Sequence, residues 1–239
     1  MTVRIGTAAW AIPSALRPSF PPGDSILARY AQVFDAVEIN SSFYRPHRRT
    51  TYMRWAATVP PGFRFAAKMP KTITHEKRLI GADAETDRFL DEVGGLGDRL
   101  GPLLIQLPPS LVFDARTAGL FSPACGRERP GRSPASRDIR PGSRPTPMPF
   151  CARQALHALP PIPRRFRRRP NPAVGQGCDT SGSTGRHASI IRTTVRSVSP
   201  ELASGLSAST IETWCIFDNT ALGHATANAL DMRNCLRRP

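Results

Sequence analysis

Three side chains in the first eighty residues are of types that could carry acid/base chemistry. Glu38 lies in the apolar stretch "AVEINSSFYR", Lys68 ends "FRFAAK", and His75 lies in "THEKR". A carboxylate among apolar neighbours must be paired or face a wet cavity, where it can exchange a proton with a substrate. Lys68 could hold an anionic substrate as a point charge, and His75 could carry a proton. The alternatives are a structural hydrogen-bond anchor, a solvated strand end and an exposed loop histidine, respectively.

Six further side chains are candidates for substrate binding, because they supply amides, a carboxylate or aromatic surface near these groups. They are Trp10, Asn40, Tyr44, Gln106, Asp218 and Asn219. Core packing is the alternative for Trp10, and a cap of the following turn is the alternative for Asp218. The sequence contains no CxxC pair, Cys/His metal spacing, nucleophile elbow or P-loop. We therefore expect no metal, no cofactor and no disulfide framework.

The candidates fall mainly where predicted strands end. Apolar stretches predict strands at residues 3–10, 36–45, 63–70, 102–110 and 213–220, with helices between them. Each strand begins apolar and becomes polar towards its carboxyl end. Repeated β–α units predict a parallel α/β sheet, which binds ligands at the carboxyl ends of its strands whether it is doubly wound or closed as a barrel. Strand polarity alone leaves these two architectures open.

Five motifs resemble a known family. The stretches "IGTAAW", "VEINSSFYR", "FRFAAKMPKTITHE", "LGPLLIQLPPSLVFD" and "CIFDNTALGHATANAL" look like the YecE-like (DUF72) family, over residues 3–116 and roughly 210–232. The resemblance implies a TIM-type (β/α)8 barrel. It also implies three more strand units between residues 120 and 210, with an Arg–His pair and another His that would join Glu38 and Lys68 at the barrel mouth. The printed sequence lacks those motifs.

The middle of the chain has an unusual composition. Residues 121–200 contain 15 arginines, no lysine and three acidic residues, so they hold +12 of the chain's net charge of +15. When the reading frame is moved back by one base, codons that are consistent with residues 179–194 can encode RYFRLHGSPRIYYSHY. The same shift allows two further missing motifs to be encoded. We therefore expect three parts: the N-terminal half of a YecE-like barrel at 1–121, an out-of-frame, basic, disordered segment at 122–200, and a C-terminal strand and helix at 201–239.

The expected structure is an incomplete barrel. It would contain about four N-terminal β/α units, with the C-terminal strand docked beside the first. The central segment would lack a stable core, because a Pro-rich, Arg-rich stretch with few aromatic residues buries too little apolar surface to offset its ordering entropy.

Two functions compete. The first is a YecE-like barrel protein that binds a small anionic substrate with hydrolase- or lyase-like acid/base chemistry, inactive as printed because the central strands are missing. The second is a basic nucleic-acid-binding protein that uses the Arg-rich segment 122–200 as an arm. This segment has many arginines and no lysine, which is the composition that GC-rich DNA encodes when it is read out of frame. We therefore expect nucleic acid to bind only adventitiously. The start "MTVRIGTAAWAIPS" has no charged leader or long apolar run, which favours a cytoplasmic protein without a membrane span.

Overall fold

Parallel strands and helices alternate along the part of the chain that can be described. The computed structural model describes residues 3–108, 110–111, 121, 150–153, 188–193, 206, 212–218 and 223–237. In these ranges the strands are β1 (Val3–Thr7), β2 (Ala36–Ile39), β3 (Arg64–Lys68), β4 (Leu100–Gln106), β5 (Phe150–Arg153), β6 (Ala188–Thr193) and β7 (Glu212–Phe217). The α-helices are α1 (Ile26–Ala31), α2 (Arg49–Thr58), α3 (Asp83–Val93) and α4 (His224–Arg237). Shorter helical turns cover Ser14–Ser19, Ser41–Phe43, Thr72–Glu76 and Gly94–Arg99.

Helix α1 shows how local sequence sets an element and directs it at the core. Ser25 is its N-cap, and the Ser25 Oγ accepts a hydrogen bond of 3.0 Å from the backbone N–H of Ala28. The helix buries Leu27 and Tyr30 against the sheet. The Tyr30 hydroxyl accepts a hydrogen bond of 2.9 Å from the Thr7 N–H and lies 3.2 Å from the Ala36 carbonyl oxygen. One side chain therefore joins α1 to both β1 and β2.

The described strands pair only in parallel. One sheet has the order β1-β7-β6 and the other β2-β3-β4-β5. A parallel bridge between Ala8 and Glu38 connects the two, with a hydrogen bond of 2.9 Å from the Ala9 N–H to the Glu38 carbonyl oxygen. The C-terminal strand β7 lies beside β1, as the sequence predicts. The chain therefore has an α/β fold with parallel sheets.

Side chains of the central strands alternate between two buried faces. The first packs under the helices and includes Val37, Ile39 and Phe65. The second, here called the inner face, is a separate cluster of Ala8, Ala36, Ala66, Trp214 and Ile216.

The strands curve around the inner face. A Cβ placed on Gly101 of β4 would lie 2.5 Å from Cη2 of Trp214 on β7, so the indole rests on that glycine. In a flat sheet, four strand spacings of about 4.8 Å would separate β4 from β7 by about 19 Å, which is beyond the reach of one side chain. The sheet must therefore bend so that β4 and β7 face each other.

Two features differ from the sequence-based expectations. The stretch predicted as strand 36–45 leaves the extended conformation at Asn40, because the Ser42 hydroxyl bonds back to the Ile39 carbonyl oxygen and begins a helical turn. Two unexpected strands, β5 and β6, come from the central segment. They pair with β4 and β7, whose edges offer unpaired backbone donors and acceptors. The rest of residues 122–200 lies outside the described residues.

Within the described ranges, no helix is both long and apolar enough to cross a membrane.

Candidate functional site

Glu38 and Lys68 lie on the inner face of adjacent parallel strands. Glu38 pairs in register with Ala66, so Lys68 lies two residues further towards the carboxyl end of β3 on the same face. The exposed fraction is 0% for Glu38 and 6% for Lys68. The structure thus brings together a buried carboxyl group and a buried ammonium group, one layer apart, at the carboxyl end of the sheet.

The turn after β2 holds Lys68 in place. The Ser42 Oγ lies 2.6 Å from the Lys68 carbonyl oxygen and 2.9 Å from the Ile39 carbonyl oxygen, which ties the ends of β2 and β3 together. The next residue, Phe43, places its ring centroid 4.2 Å from the Lys68 Nζ. This cation–π contact stabilises the ammonium group of a side chain that is almost completely buried.

His75 joins the same cluster from the helical turn after β3. Its ring packs edge-on against Phe43 at 5.0 Å between centroids, and its Nδ1 lies 2.9 Å from the Thr74 Oγ1. Burial lowers the pKa of His75, and the positive charge of Lys68 lowers it further. Both effects favour the uncharged imidazole, which is the form that can accept a proton.

Three more predicted residues occupy the carboxyl ends of neighbouring strands. Asn40 follows β2, Gln106 ends β4, and Asp218 follows β7, and all three are half-buried. The Asn40 Oδ1 is buried and has no hydrogen-bond partner among the described residues. Asn219, the fourth candidate of this group, lies outside the described residues.

The two aromatic candidates pack against other aromatic rings. Trp10 is half-buried and packs edge-on against Trp55 of α2, with ring centroids 5.1 Å apart. Tyr44 is 67% exposed and contacts Phe43 edge-on at 5.0 Å. It lines a cavity of about 60 Å³ between the turn after β2 and α3, which Arg45 and Pro70 also line.

Sequence reasoning missed a second polar pair at this end of the sheet. The Ser41 Oγ lies 2.8 Å from the His47 Nε2, and the His47 ring packs against Trp55 and Tyr52 at 5.1 and 5.8 Å. Burial lowers the pKa of His47, and the charge of Arg45 adds to the effect. No motif in "SSFYRPH" marks this pair, because the turn geometry that joins its members is not readable from residue types.

Apart from β5 and β6, the Arg-rich segment that would carry nucleic-acid binding, including Arg164–Arg169, lies outside the described residues. In the part of the chain that the structure covers, no three His, Cys, Asp or Glu side chains are grouped so as to hold a metal ion.

Known proteins resemble the chain in both sequence and fold. Residues 4–125 match the protein-family model "Protein of unknown function DUF72". The UPF0759 protein YecE of Escherichia coli strain K12 is 32% identical over 106 residues, and so is its counterpart in Escherichia coli O157:H7. The match covers 44% of this chain and spans only 38% of the length of these curated relatives.

Two solved structures have a similar fold. The DUF72 family protein EF0366 from Enterococcus faecalis V583 has a TM-score of 0.63 at 15% identity, covering 100% of this chain and 96% of that one. The DUF72 family protein TM1631 from Thermotoga maritima MSB8 has a TM-score of 0.63 at 19% identity, with 100% of both chains covered. Because the family model matches half of the sequence and the fold agrees, the chain belongs to the DUF72 family.

Proposed function

We propose that the carboxyl ends of the parallel strands bind a small anionic substrate and perform hydrolase- or lyase-like acid/base chemistry on it. The observation that supports this most is the burial of Glu38 and Lys68 on one face of adjacent strands. Burying ionisable groups is costly, and such groups are concentrated at functional sites.

In this proposal Lys68 holds the anionic group of the substrate. A phosphate or carboxylate would meet a compact positive charge whose position is limited by the Phe43 ring and by the tied ends of β2 and β3. Asn40, Gln106 and Asp218 lie at the same end of the sheet and would orient the remaining polar groups of the substrate.

Glu38 would transfer a proton to or from the substrate. It lies one layer deeper than Lys68, so a substrate anchored at Lys68 could present its reacting carbon or bridging oxygen to the carboxyl group. His75, whose lowered pKa favours the uncharged imidazole, would be a second proton acceptor beside the anion. A hydrolase would use these groups to activate water, and a lyase would use them to remove a proton next to a carboxylate.

We extend the proposal to the architecture, as a closed (β/α)8 barrel. The order of the described strands runs consecutively from β1 to β5, with β7 next to β1, as in a singly wound barrel. The contact between Trp214 and Gly101 across the inner face supports the same closure.

We also propose the three parts of the chain that the sequence predicts. Residues 1–121 and 201–239 are parts of the barrel, and residues 122–200 between them are encoded out of frame. The printed chain would then lack the Arg–His pair and the second His of the barrel mouth, and would be inactive. Nucleic acid would bind only adventitiously, through the arginines of this segment. Reading the gene across codons 115–205 tests the division: codons that cannot encode the missing motifs one base earlier would contradict it.

The experiment compares turnover by the frame-restored chain and its variants on small phosphate esters, carboxylate esters and 3-hydroxycarboxylates. Glu38→Gln should lower kcat about 100-fold or more, the usual contribution of a general acid or base. Glu76→Gln is the matched control, because Glu76 is 54% exposed and paired with Lys71 outside the buried pair. Equal rates for the two variants would contradict the role of Glu38, and no turnover of any substrate class would contradict the enzymatic proposal.

A further inference from the structure

Three arginines converge at the amino-terminal end of the sheet, opposite the proposed substrate site. Arg4 lies near the start of β1, Arg64 begins β3, and Arg99 immediately precedes β4. Each donates a hydrogen bond to the turn that precedes β3: Arg4 to the Gly62 carbonyl oxygen at 3.0 Å, and Arg64 and Arg99 both to the Pro61 carbonyl oxygen. Side chains near the starts of β1, β3 and β4 therefore meet at one turn.

The shared acceptor forces two positive charges together. Arg64 Nη1 lies 2.7 Å from the Pro61 carbonyl oxygen, and Arg99 Nη1 is bonded to the same atom. Two hydrogen bonds of about 3 Å to one oxygen cannot place the nitrogens more than about 6 Å apart. The mutual repulsion is apparent at Arg64, whose pKa is lowered by burial first and then by the charges of Arg4 and Arg99.

Nearby carboxylates balance only part of this charge. Glu212, the first residue of β7, forms an ion pair with Arg4, and Asp98 acts electrostatically on Arg64. Arg233 and Arg237 of α4 lie around Asp35 at the same end of the sheet, where they line a groove of about 580 Å³. The described residues here thus include five guanidinium groups and three carboxylates.

We propose that Arg64 and Arg99, with Arg4 beside them, form a binding site for a phosphoryl group. The described bonds to the turn use Nη1 of each guanidinium. A guanidinium is a planar fork that bonds phosphate through two nitrogens, so Nη2 and Nε of Arg64 and Arg99 suit a tetrahedral dianion. Bound there, the dianion offsets the repulsion between the two cations. Arg64 and Arg99 are half-exposed, which leaves them accessible to a ligand.

This site is distinct from the one proposed for catalysis. Lys68 ends β3, whereas Arg64 begins it, so the two lie at opposite ends of the same strand. The ligand at the amino-terminal end is either free phosphate or a phosphate monoester, which share the same three terminal oxygens.

The plainer role for these arginines is to cap the turn through its carbonyl groups. Calorimetry on the full chain, at constant ionic strength set with chloride, separates the two roles. Inorganic phosphate and phenyl phosphate are titrated into wild type, Arg64→Gln, Arg99→Gln and the control Arg54→Gln. Arg54 is exposed on α2, and its Nη2 lies 3.5 Å from the Thr51 Oγ1, with no bond to the carbonyl groups of the turn among the described contacts. The control also accounts for phosphate bound elsewhere on this basic chain.

Phosphate should bind wild type and Arg54→Gln equally, and Arg64→Gln and Arg99→Gln about tenfold more weakly. Tighter binding of phenyl phosphate than of phosphate would identify a monoester as the ligand, and the reverse would identify the free ion. Equal phosphate affinity in all four proteins would overturn the proposal. If Arg64→Gln does not fold, Arg99→Gln and Arg64→Lys provide the test instead. Arg64→Lys should bind phosphate measurably more weakly, because it keeps the positive charge but loses the planar guanidinium. The same titrations are repeated in a Lys68→Met background, which removes the anion site proposed for catalysis. The difference between the Arg54→Gln protein and the Arg64→Gln and Arg99→Gln proteins should persist there.

Discussion

Lys68 and His75 contact the same aromatic ring, that of Phe43. The Lys68 Nζ lies 4.2 Å from the ring centroid, and the His75 ring lies 5.0 Å from it, edge-on. An ammonium group this near an imidazole disfavours the imidazolium form, and burial acts in the same direction.

The first prediction follows from this relationship. His75 should titrate below its ordinary pKa of 6.5, and Lys68→Met should raise its midpoint by removing the neighbouring charge. Because the pKa is lowered in the folded state, the contribution of His75 to stability is present above pH 6.5 and is lost as the pH falls through the folded value. NMR titration of the imidazole resonances measures the midpoint. Lys71→Met is the control, and an equal shift in Lys68→Met and Lys71→Met would contradict the geometry.

The second prediction concerns the packing of Trp214 on Gly101. A Cβ at position 101 would lie 2.5 Å from the indole, so Gly101→Ala should overpack the inner face and lower the free energy of unfolding by about 1–3 kcal/mol. Denaturant unfolding measures the change. At Gly62 a Cβ meets nothing within 4 Å, which makes Gly62→Ala the matched control. Equal stability of the two variants would mean that β4 and β7 do not face each other.

A third prediction concerns the Tyr30 hydroxyl, which forms hydrogen bonds with both β1 and β2. Tyr30→Phe should lower the free energy of unfolding by about 1–3 kcal/mol, since it leaves the buried Thr7 N–H without this acceptor. Tyr44→Phe, at a residue that is 67% exposed, should change it little.

The same hydroxyl predicts a pH dependence. Burial raises the pKa of Tyr30, and bonding to Thr7 only partly opposes the effect. Stability from a raised pKa is fully present below the ordinary value of about 10 and is lost as the pH rises above it. Wild type should therefore lose stability above pH 10 more steeply than Tyr30→Phe. Parallel curves of unfolding free energy against pH for the two proteins would contradict the burial of this hydroxyl.

The fourth prediction uses two cysteines of different burial. Burial raises the pKa of Cys215 in β7 to about 12, whereas Cys235 on α4 is half-buried. Since the thiolate is the reactive form, iodoacetamide at pH 8 should modify Cys235 while Cys215 stays unmodified until the chain unfolds. Peptide mass spectrometry measures both sites. Fast labelling of Cys215 in the native chain would contradict the burial of β7.

The features that could be predicted from the sequence are those set by a few consecutive residues. The alternation that separates Val37 from Glu38, and the polar end of β3 at Lys68, could be read from a few consecutive residues, and the structure brings the two side chains to one face. The cap at Ser25 is equally local, because serine is a preferred N-cap residue and its Oγ accepts a hydrogen bond from the N–H of Ala28, three residues further on.

Features that depend on distant parts of the chain could not be predicted. The meeting of Arg64 with Arg99 depends on how two strands align, because 35 positions separate the residues. The end of β2 at Ile39 depends on a single hydroxyl, that of Ser42, which a β-type apolar pattern does not reveal. Strands β5 and β6 were missed because backbone pairing with an open sheet edge places few demands on side chains.

The central claim is that Lys68 anchors a small anion at the carboxyl ends of the strands, and calorimetric binding to the frame-restored chain tests it most directly. The titrant is the small phosphate or carboxylate that binds the frame-restored chain most tightly. Lys68→Met and Lys71→Met are both made in an Arg99→Gln background, so that the phosphoryl site proposed at the amino-terminal end of the sheet does not contribute. Lys71 is exposed and paired with Glu76, so it is a matched control three residues away. We predict that Lys68→Met weakens binding about tenfold or more and that Lys71→Met leaves it unchanged. Equal affinity in the two variants would contradict the account.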